Sequence, residues 1–484
     1  MPVIGADIGT QSLKVVVADD DLTIIGEATT PYQPRFPRPG WAEQDTALWL
    51  DALAPTIGQA LADAGLAPTD IAGLGIAGQL DGCVATDRDG RALGPALIWM
   101  DRRAEEDIEG VSAELARTRG GIVLDPTHMA AKIRWLLRND AAARRAARFH
   151  QPVSFLVVRL TGEHVFDHGL ASTTMLYGLA RRDWDPDLVD AFGIDLALLP
   201  AIADAFSPAG RLTAEGARLT GLRPGTTVAV GTGDDFANPL GGGLVSPGRA
   251  VCTLGTAEVV GAVHDAPIVD GRALVETHGY VGPTYFLENP GWLSGGALTW
   301  FQNLCGIADP VALDRLAATS APGANGVTFL PALSGAMAPE WIAGARGCFY
   351  GLTAGHGSAD LARAVLEGCA FAMRDVIDRL VAMGVRSDAL VLLGGGARSA
   401  LWSAIRADVA ARPVAVVARA DTSPVGAALL ASVSVGRHAS VAEAARLVGQ
   451  IVATVDPVAG RVSAYEQAYR RYRRLFDALR PMYG

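Results

Sequence analysis

Two carboxylates, Asp7 and Asp234, each lie next to glycine and threonine in the sequence. Asp7 is followed within a few positions by residues that suit phosphate binding: Gly9, Thr10, Ser12 and Lys14. A phosphate-binding hairpin needs free backbone N–H groups, hydroxyl donors and an acid that can hold Mg²⁺ through water. The segment lacks the spacing of a Walker A loop. It predicts a phosphate site with Asp7 near the metal, although a plain hairpin with Asp7 capping locally would have the same sequence.

Asp234 follows the glycine-rich segment Gly231–Gly233 at the end of an apolar run. Glycines at a strand end leave the next carboxylate free to project into a cleft, where it can accept a proton from a hydroxyl. In phosphoryl transfer the protein mainly positions the reactants and stabilises charge, so one well-placed acid beside Mg²⁺ and ATP can be enough for catalysis. We therefore predict Asp234 as the base. The neighbouring Asp235 could face the cleft instead, and an Asx-turn after a buried strand is the structural alternative.

Alternating strand and helix patterns surround these acids. Residues 3–30 predict three strands joined by turns, and residues 46–65 carry apolar side chains at helical spacing. An apolar strand at 73–77 leads to Gln79–Gly82, and this alternation indicates an α/β fold. Residues 250–260 then repeat the strand–Gly-Thr–strand pattern of residues 6–17. The repeat predicts two similar domains, 1–245 and 246–484, that pack around a cleft.

Composition narrows the class of protein. The chain has 484 residues, half of them hydrophobic, which is enough for more than one core. A net charge of -10 disfavours nucleic acid as a partner. The five cysteines are scattered and form no CxxC pair, as expected of reduced thiols. With no signal-like or membrane-length apolar segment, we expect a soluble, cytoplasmic protein without a membrane partner.

Three further features carry weaker signals. Trp99 could form an apolar wall for a sugar, with Asp101 as a hydroxyl partner, although a lone tryptophan more often belongs to a core. The run Gly394–Gly396 precedes a predicted helix and could approach a nucleotide, but glycines of this kind usually only form a turn. The histidines, among them His128, show no metal-ligand spacing, and we predict structural or surface roles for them.

Taken in order, these motifs resemble the FGGY family of carbohydrate kinases. Residues 347–367 are similar to the family's C-terminal signature, and residues 132–139 resemble the latter part of its N-terminal signature. The resemblance extends from Asp7 to Gly426. It implies two actin-like (ribonuclease-H-like) ATPase domains flanking a central cleft, the N-terminal one binding sugar and the C-terminal one binding nucleotide. ATP and Mg²⁺ are the implied cofactors.

The resemblance also implies roles for single residues. Asp7 would organise Mg²⁺ and Asp234 would be the general base, with Trp99 on the sugar side. The residues expected near the transferred phosphate are Thr10, Ser12 and Lys14, in the same hairpin as Gly9. The residues expected to contact the nucleotide are Gly255 and Thr256 at its phosphates and Gly395 and Gly396 at its adenosine. The residues expected near the sugar are Gln79, Leu80, Asp81, Asp101 and Asp235.

The identity of the acceptor depends on Gly78–Gly82. This segment resembles the xylulokinase pattern Gly-Gln-Met-His-Gly, but Asp81 replaces the histidine. A mispaired polar group in a buried site costs about 1–3 kcal/mol, which is enough to redirect specificity. D-Xylulose, giving D-xylulose 5-phosphate, is the leading prediction. D-Ribulose, glycerol and an erythritol-type polyol remain open, because 330–341 resembles glycerol kinases, and Asp81 could also be a turn residue that never touches the sugar.

Two functions outside metabolism compete with this interpretation. An actin-like ATPase could act as a switch or filament, and a sugar sensor could have kept the fold without activity. Stimulation of ADP release by a sugar separates the first from a kinase, and the retention of Asp7 and Asp234 argues against the second. A homodimer is possible from the resemblance alone.

Overall fold

The computed structural model describes residues 1–483. Its strands are β1 Val3–Ile8, β2 Ser12–Ala18, β3 Ile24–Pro31, β4 Glu43–Gln44, β5 Gly73–Gly78, β6 Val84–Thr86, β7 Ala96–Leu97, β8 Arg148–His150, β9 Val165–Asp167, β10 Tyr177–Gly178, β11 Asp183–Trp184, β12 Ala201–Ala203, β13 Pro208–Arg211, β14 Thr227–Ala229, β15 Thr232–Gly233, β16 Gly248–Leu254, β17 Ala257–His264, β18 Glu276–Gly279, β19 Tyr285–Leu293, β20 Thr328–Leu330, β21 Cys348–Tyr350, β22 Ser387–Leu393, β23 Val414–Val417 and β24 Ile451–Val455. Its helices are α1 Thr46–Ala64, α2 Ala113–Leu115, α3 Met129–Asn139, α4 Pro152–Thr161, α5 His168–Ser172, α6 Pro186–Ala191, α7 Ala214–Thr220, α8 Asp234–Gly241, α9 Gly295–Cys305, α10 Pro310–Ala318, α11 Ser358–Ala382, α12 Ala400–Ala410, α13 Ser423–Ser434, α14 Val441–Ala444 and α15 Ala459–Leu479.

The first large sheet has the strand order β13-β14-β5-β1-β2-β3, and β15 continues the β14 side of β5. Strands β1, β2 and β3 are antiparallel neighbours, whereas β5 lies parallel to β1 and β14 lies parallel to β5. The edge strand β13 is again antiparallel. We call the part of the protein built on this sheet the first lobe.

The second large sheet repeats this plan in the same order. Its strands run β24-β23-β22-β16-β17-β19-β18, with β16, β17 and β19 antiparallel, β22 parallel to β16, and β23 parallel to β22. Its outer strand β24 is antiparallel, as β13 is in the first sheet. We call this part the second lobe. The predicted pair of similar α/β units is therefore seen in the strand order, and the Gly-Thr turns occupy equivalent hairpins, β1–β2 and β16–β17.

Helices that follow each sheet in the sequence pack against the other one. Helix α13, from the second half, lies so close to the first sheet that a Cβ at Gly5 would be 1.9 Å from the Pro424 carbonyl oxygen. Gly75 makes the same kind of approach to the Ala427 carbonyl oxygen, also at 1.9 Å. In return, Phe236 of α8 packs against His278 of β18 and Phe286 of β19 in the second sheet. The two lobes are thus held together by exchanged helices.

Buried apolar side chains cover both sheets, as half-hydrophobic composition predicts. Helix α1 packs on β2 and β3. It is capped at its N-terminus by Asp45, whose carboxylate accepts the Ala47 N–H, and at its C-terminus by Gly65. Among residues 1–483, no helix combines the length and apolar character needed to cross a bilayer.

Candidate active site

Three parallel strands of the first sheet end side by side. Ile8 of β1, Gly78 of β5 and Gly233 of β15 are in register. The segments that follow them leave the sheet at one edge: Gly9–Thr10, Gln79–Asp81 and Asp234–Asp235. Carboxyl ends of parallel strands are where open α/β sheets bind ligands. The sheet thus brings together residues that are far apart in the sequence.

Asp7 lies one residue before this edge, opposite Lys14 in the β1–β2 hairpin. It is 5% exposed, and its Oδ1 has no hydrogen-bond partner within residues 1–483. Burial and then the charge of Asp234 raise its pKa to about 7, against the opposing effect of Lys14. Lys14 also reaches the second lobe, where its Nζ lies 2.7 Å from Oδ2 of Asp421.

The residues around Asp7 fit a Mg²⁺ ion that is shared with a nucleotide. No group of three or more His, Cys, Asp and Glu side chains within 1–483 could hold a metal by itself. Mg²⁺ usually keeps several waters and takes one or two carboxylates plus substrate phosphates. A single carboxylate with an unpartnered oxygen, at the end of a glycine hairpin, matches that requirement.

Asp234 and Asp235 form the first turn of α8. Burial and then Asp235 raise the pKa of Asp234 to about 7, while burial and then Asp81 raise that of Asp235 to about 6. The strand before them is fixed by Asp167, because the Thr232 hydroxyl donates to its Oδ2 at 2.7 Å. Asp7 and the Thr232–Gly233 strand that precedes Asp234 flank β5 on its two sides in register, and the charge of Asp234 contributes to the raised pKa of Asp7. The structure thus places both predicted acids at the same edge of the sheet.

Each glycine-threonine hairpin is closed by a backbone hydrogen bond from its glycine, and the first turn is one residue longer than the second. The Gly9 N–H donates to the Ser12 carbonyl at 2.9 Å, and the Gly255 N–H donates to the Ala257 carbonyl at 3.0 Å. Gly255 and Thr256 are exposed, and the Thr256 carbonyl accepts the N–H groups of Ser294 and Gly296. Their exposed backbone suits phosphate oxygens.

Several residues predicted for the sugar lie around the Gly9–Thr10 turn. Trp99 is 47% exposed, and its Nε1 donates to Thr10 Oγ1 at 3.0 Å. Gln79 is buried and donates to Gln44 Oε1 at 2.6 Å, while Gln44 donates to the Thr10 carbonyl at 2.8 Å. Leu80 packs against Gly233, where a Cβ would come within 2.9 Å of its side chain. Trp99 therefore keeps an open indole face beside the strand ends.

Asp101 has surroundings that differ from the prediction. It is fully buried, and both oxygens accept hydrogen bonds from Arg103, at 2.7–2.9 Å. The Ala42 N–H also donates to its Oδ2 at 2.6 Å. Since these partners occupy the carboxylate, no exposed face of Asp101 is left for a sugar hydroxyl. Asp101 instead stabilises the turn that follows Trp99.

The run Gly394–Gly396 borders a cavity of about 340 Å³ in the second lobe. Gly394, Ala397 and Arg398 line one side, and residues of β23 and β24 line the other. Around Gly395 the space is open, whereas a Cβ at Gly396 would lie 2.8 Å from the Trp402 ring. Gly395 thus faces free space, and Gly396 has a packing reason to be glycine.

Two residues that sequence reasoning missed hold the sugar-side turns. Lys132 is fully buried, and its Nζ donates to the carbonyls of Asp81 at 2.7 Å and Ile98 at 2.8 Å. Gln151 Oε1 accepts the Asp81 N–H at 2.9 Å. A lysine flanked by Ala130, Ala131 and Ile133 was the available signal for the first, and nothing in the local sequence marked the second.

Known proteins match this chain over nearly its whole length. The FGGY carbohydrate kinase family matches through its N-terminal domain at residues 2–241 and its C-terminal domain at residues 250–435. The chain is 32% identical to xylulose kinase of Escherichia coli, with 99% of each chain covered. It is also 32% identical to glycerol kinase of Thermococcus gammatolerans, covering 91% of this chain and 90% of that one.

Solved structures agree on the fold. The crystal structure of xylulose kinase from Rhodospirillum rubrum superimposes with a TM-score of 0.92 at 29% identity, with both chains covered completely. The predicted architecture of two actin-like domains is therefore confirmed, and so is the prediction of an enzyme. The chain belongs to the FGGY family of carbohydrate kinases.

Proposed function

We propose that this kinase transfers the γ-phosphoryl group of ATP to a hydroxyl of a small uncharged sugar, with D-xylulose as the leading acceptor and D-xylulose 5-phosphate as the product. The observation that carries the proposal is the convergence of Asp7 and Asp234 at the edge where β1, β5 and β15 end in register. This edge lies beside the first glycine-threonine hairpin, which suits the phosphates of a nucleotide.

Each residue near the strand ends has a part in the proposed reaction. Asp234 accepts the proton of the attacking hydroxyl, for which a pKa of about 7 is well matched to neutral pH. Asp7 would hold Mg²⁺, which when bound offsets the charge on the phosphates. Lys14 and the hairpin N–H groups orient the transferred group. Closure of the lobes, 1–245 and 246–484 in our division, excludes water as a competing acceptor.

The acceptor is supported by two kinds of observation. Similarity over the full chain to a xylulose kinase and the Gly78–Gly82 segment favour a ketopentose. Equal identity to a glycerol kinase favours a polyol as the second candidate. Trp99, with its exposed indole, suits the apolar face of either acceptor.

A panel of acceptors tests the proposal. Purified protein with ATP and Mg²⁺ is assayed for ADP release with D-xylulose, D-ribulose, glycerol and erythritol. We expect the highest kcat/KM with D-xylulose. A polyol at the top would replace the leading acceptor, and ADP release that no sugar accelerates would refute the proposal.

The role of Asp234 is tested by a matched pair of variants. Asp234→Asn should lower kcat about 100- to 10,000-fold, because the proton acceptor is lost while the side-chain shape is kept. Asp235→Asn, one residue along the same helical turn, should act mainly on the KM of the sugar. If Asp235→Asn abolished turnover and Asp234→Asn did not, the base would be Asp235.

A further inference from the structure

An acid of the second lobe reaches the proposed phosphate site of the first. Asp421 lies two residues before α13, and its Oδ2 is 2.7 Å from Nζ of Lys14 in β2. Both side chains are partly exposed, Lys14 to 37% and Asp421 to 40%. This ion pair therefore joins the two lobes at the hairpin that carries Gly9 and Thr10.

The packing of α13 determines where Asp421 lies. A Cβ at Gly5 of β1 would be 1.9 Å from the Pro424 carbonyl oxygen, so the start of the helix is in close contact with this strand. The Thr422 hydroxyl donates to Oδ1 of Asn238 in α8 at 3.1 Å. The segment that carries Asp421 is therefore held from two sides, by β1 and by α8.

Asp7 lies on the face of β1 that meets α13. Successive side chains of a strand point to opposite faces, so Asp7 shares the face of Gly5. Lys14 is directly opposite Asp7 in the antiparallel pair β1–β2, and directly opposite residues also share a face. Asp7, Lys14 and Asp421 therefore lie together at the start of α13.

Lys14 pairs with only one of these two acids. Opposite charges across an antiparallel pair attract each other, so Asp7 is the partner that the hairpin alone favours for Lys14. Within residues 1–483, however, Lys14 forms its ion pair with Asp421, and Asp7 Oδ1 is buried without a hydrogen-bond partner. Such unpartnered buried oxygens are rare in folded proteins and need a reason.

Solvation explains why Lys14 pairs with Asp421. Asp7 is 5% exposed, whereas Asp421 is partly in water, so moving the ammonium group against Asp7 would remove more of its hydration. An ammonium group has three N–H donors, and one hydrogen bond to Asp421 leaves two for phosphate oxygens. Asp7 in turn keeps an oxygen free, as a ligand of Mg²⁺ or of its waters requires.

We propose that Asp421 is a positioning residue that holds Lys14 away from Asp7. Asp7 then stays free for Mg²⁺, and Lys14 stays available to the transferred phosphate. Because Asp421 belongs to the second lobe, the phosphate site of the first lobe is complete only with α13 packed against it. The inference rests on the proposed function and deepens it by naming the residue that keeps these two charges apart.

Binding of the non-hydrolysable analogue AMP-PNP, measured by calorimetry, tests the proposal without turnover. The ratio of the Kd in EDTA to the Kd in Mg²⁺ measures how much the metal strengthens binding. In Asp421→Asn this ratio should fall about 5- to 30-fold, because Lys14 is then released to pair with Asp7. Asp421→Glu should keep the wild-type ratio. Glu27→Gln, which removes another partly exposed ion pair between the lobes, should keep it as well.

A double variant distinguishes positioning from support of the fold. Lys14→Met removes the group that Asp421 holds, so adding Asp421→Asn to Lys14→Met should not change the ratio further. A residue that only supports the fold would lower the ratio in both backgrounds. The crystal structure of nucleotide-free Asp421→Asn should also show Lys14 Nζ within about 4 Å of the Asp7 carboxylate.

The outcomes separate this proposal from the proposed function. An unchanged ratio in Asp421→Asn, or an equal loss with and without Lys14, overturns the role of Asp421 while the kinase function stands. A variant structure in which Lys14 stays away from Asp7 does the same. ADP release that no acceptor accelerates refutes the proposed function, whereas the binding ratios and the variant structure still decide the role of Asp421.

Discussion

Replacing Glu258 by glutamine should destabilise the second lobe and loosen the hairpin that carries Gly255 and Thr256. Glu258 and Arg406 are both fully buried, and their paired contacts measure 2.5 and 2.7 Å. The Ser294 hydroxyl donates to Glu258 at 2.7 Å, and the Ser294 N–H donates to the Thr256 carbonyl at 3.1 Å. The ion pair therefore supports the hairpin through one intermediate residue.

The expected loss of stability follows from the charge that remains buried after the substitution. Glu258→Gln leaves the Arg406 guanidinium buried without a charged partner, and breaking a buried pair in this way costs about 3–5 kcal/mol. Glu27→Gln is the control, because Glu27 pairs with Arg419 at the surface, where such contacts contribute about 0–1 kcal/mol. Replacing both Glu258 and Arg406 by methionine should recover much of the loss, since no charge is then buried.

Urea unfolding followed by tryptophan fluorescence measures these differences. The Trp402 ring lies 4.3 Å from the Arg406 guanidinium carbon and reports on this region directly. Glu258→Gln should also raise the KM for ATP more than the KM for the sugar. A loss of free energy of unfolding no larger than that of Glu27→Gln would refute the reasoning.

Three further predictions concern packing, pH and the sugar wall. Gly75→Ala should lower the free energy of unfolding, measured with urea, by about 1–3 kcal/mol or more, because the added Cβ would meet the Ala427 carbonyl. The control Gly58→Ala, on the exposed face of α1, should raise the free energy of unfolding by about 0.5–1 kcal/mol. In the folded state the pKa of His128 is raised from its ordinary 6.5 to about 9, so the stability that the protonated imidazole contributes is complete below pH 6.5 and is lost as pH rises through about 9. The difference in free energy of unfolding between wild type and His128→Gln should therefore shrink between pH 6.5 and about pH 9. A difference that stays constant over this range would contradict the assigned pKa. Trp99→Ala should raise the KM for the sugar several-fold with little change in the KM for ATP, while Trp99→Phe should retain most of the affinity for the sugar. Equal effects of the two substitutions would show that the hydrogen bond from Nε1 to Thr10 matters more than the aromatic ring.

Local patterns were enough to predict much of the fold. Alternating apolar residues and turn glycines gave the β1–β2–β3 meander, and helical spacing over 46–65 gave α1, observed at Thr46–Ala64. The repeated Gly-Thr hairpin indicated duplication because each copy is encoded within a few consecutive residues. Asp7 and Asp234 could be predicted for the same reason, because each lies next to a glycine turn in the sequence.

Pairings between distant residues could not be predicted. Asp101 was expected beside a sugar, but its Oδ2 accepts the N–H of Ala42, 59 positions away, in addition to the contacts with the nearby Arg103. His128 was expected to be structural or at the surface, and its partner Asp81 lies 47 positions away. One sequence carries no signal for such contacts, because they depend on how separate strands and helices are brought together.

The exchange of α8 and α13 has a consequence for how the chain can be made and divided. A ribosome that has released only the first half has not yet supplied the α13 surface that covers Gly5 and Gly75, so that face of the first sheet stays uncovered until Ser423–Ser434 have been synthesised. Gene fragments cut near residue 245 would each carry an orphaned helix and an uncovered sheet. Recombining the fragments in one cell should restore assembly, whereas either fragment alone should aggregate.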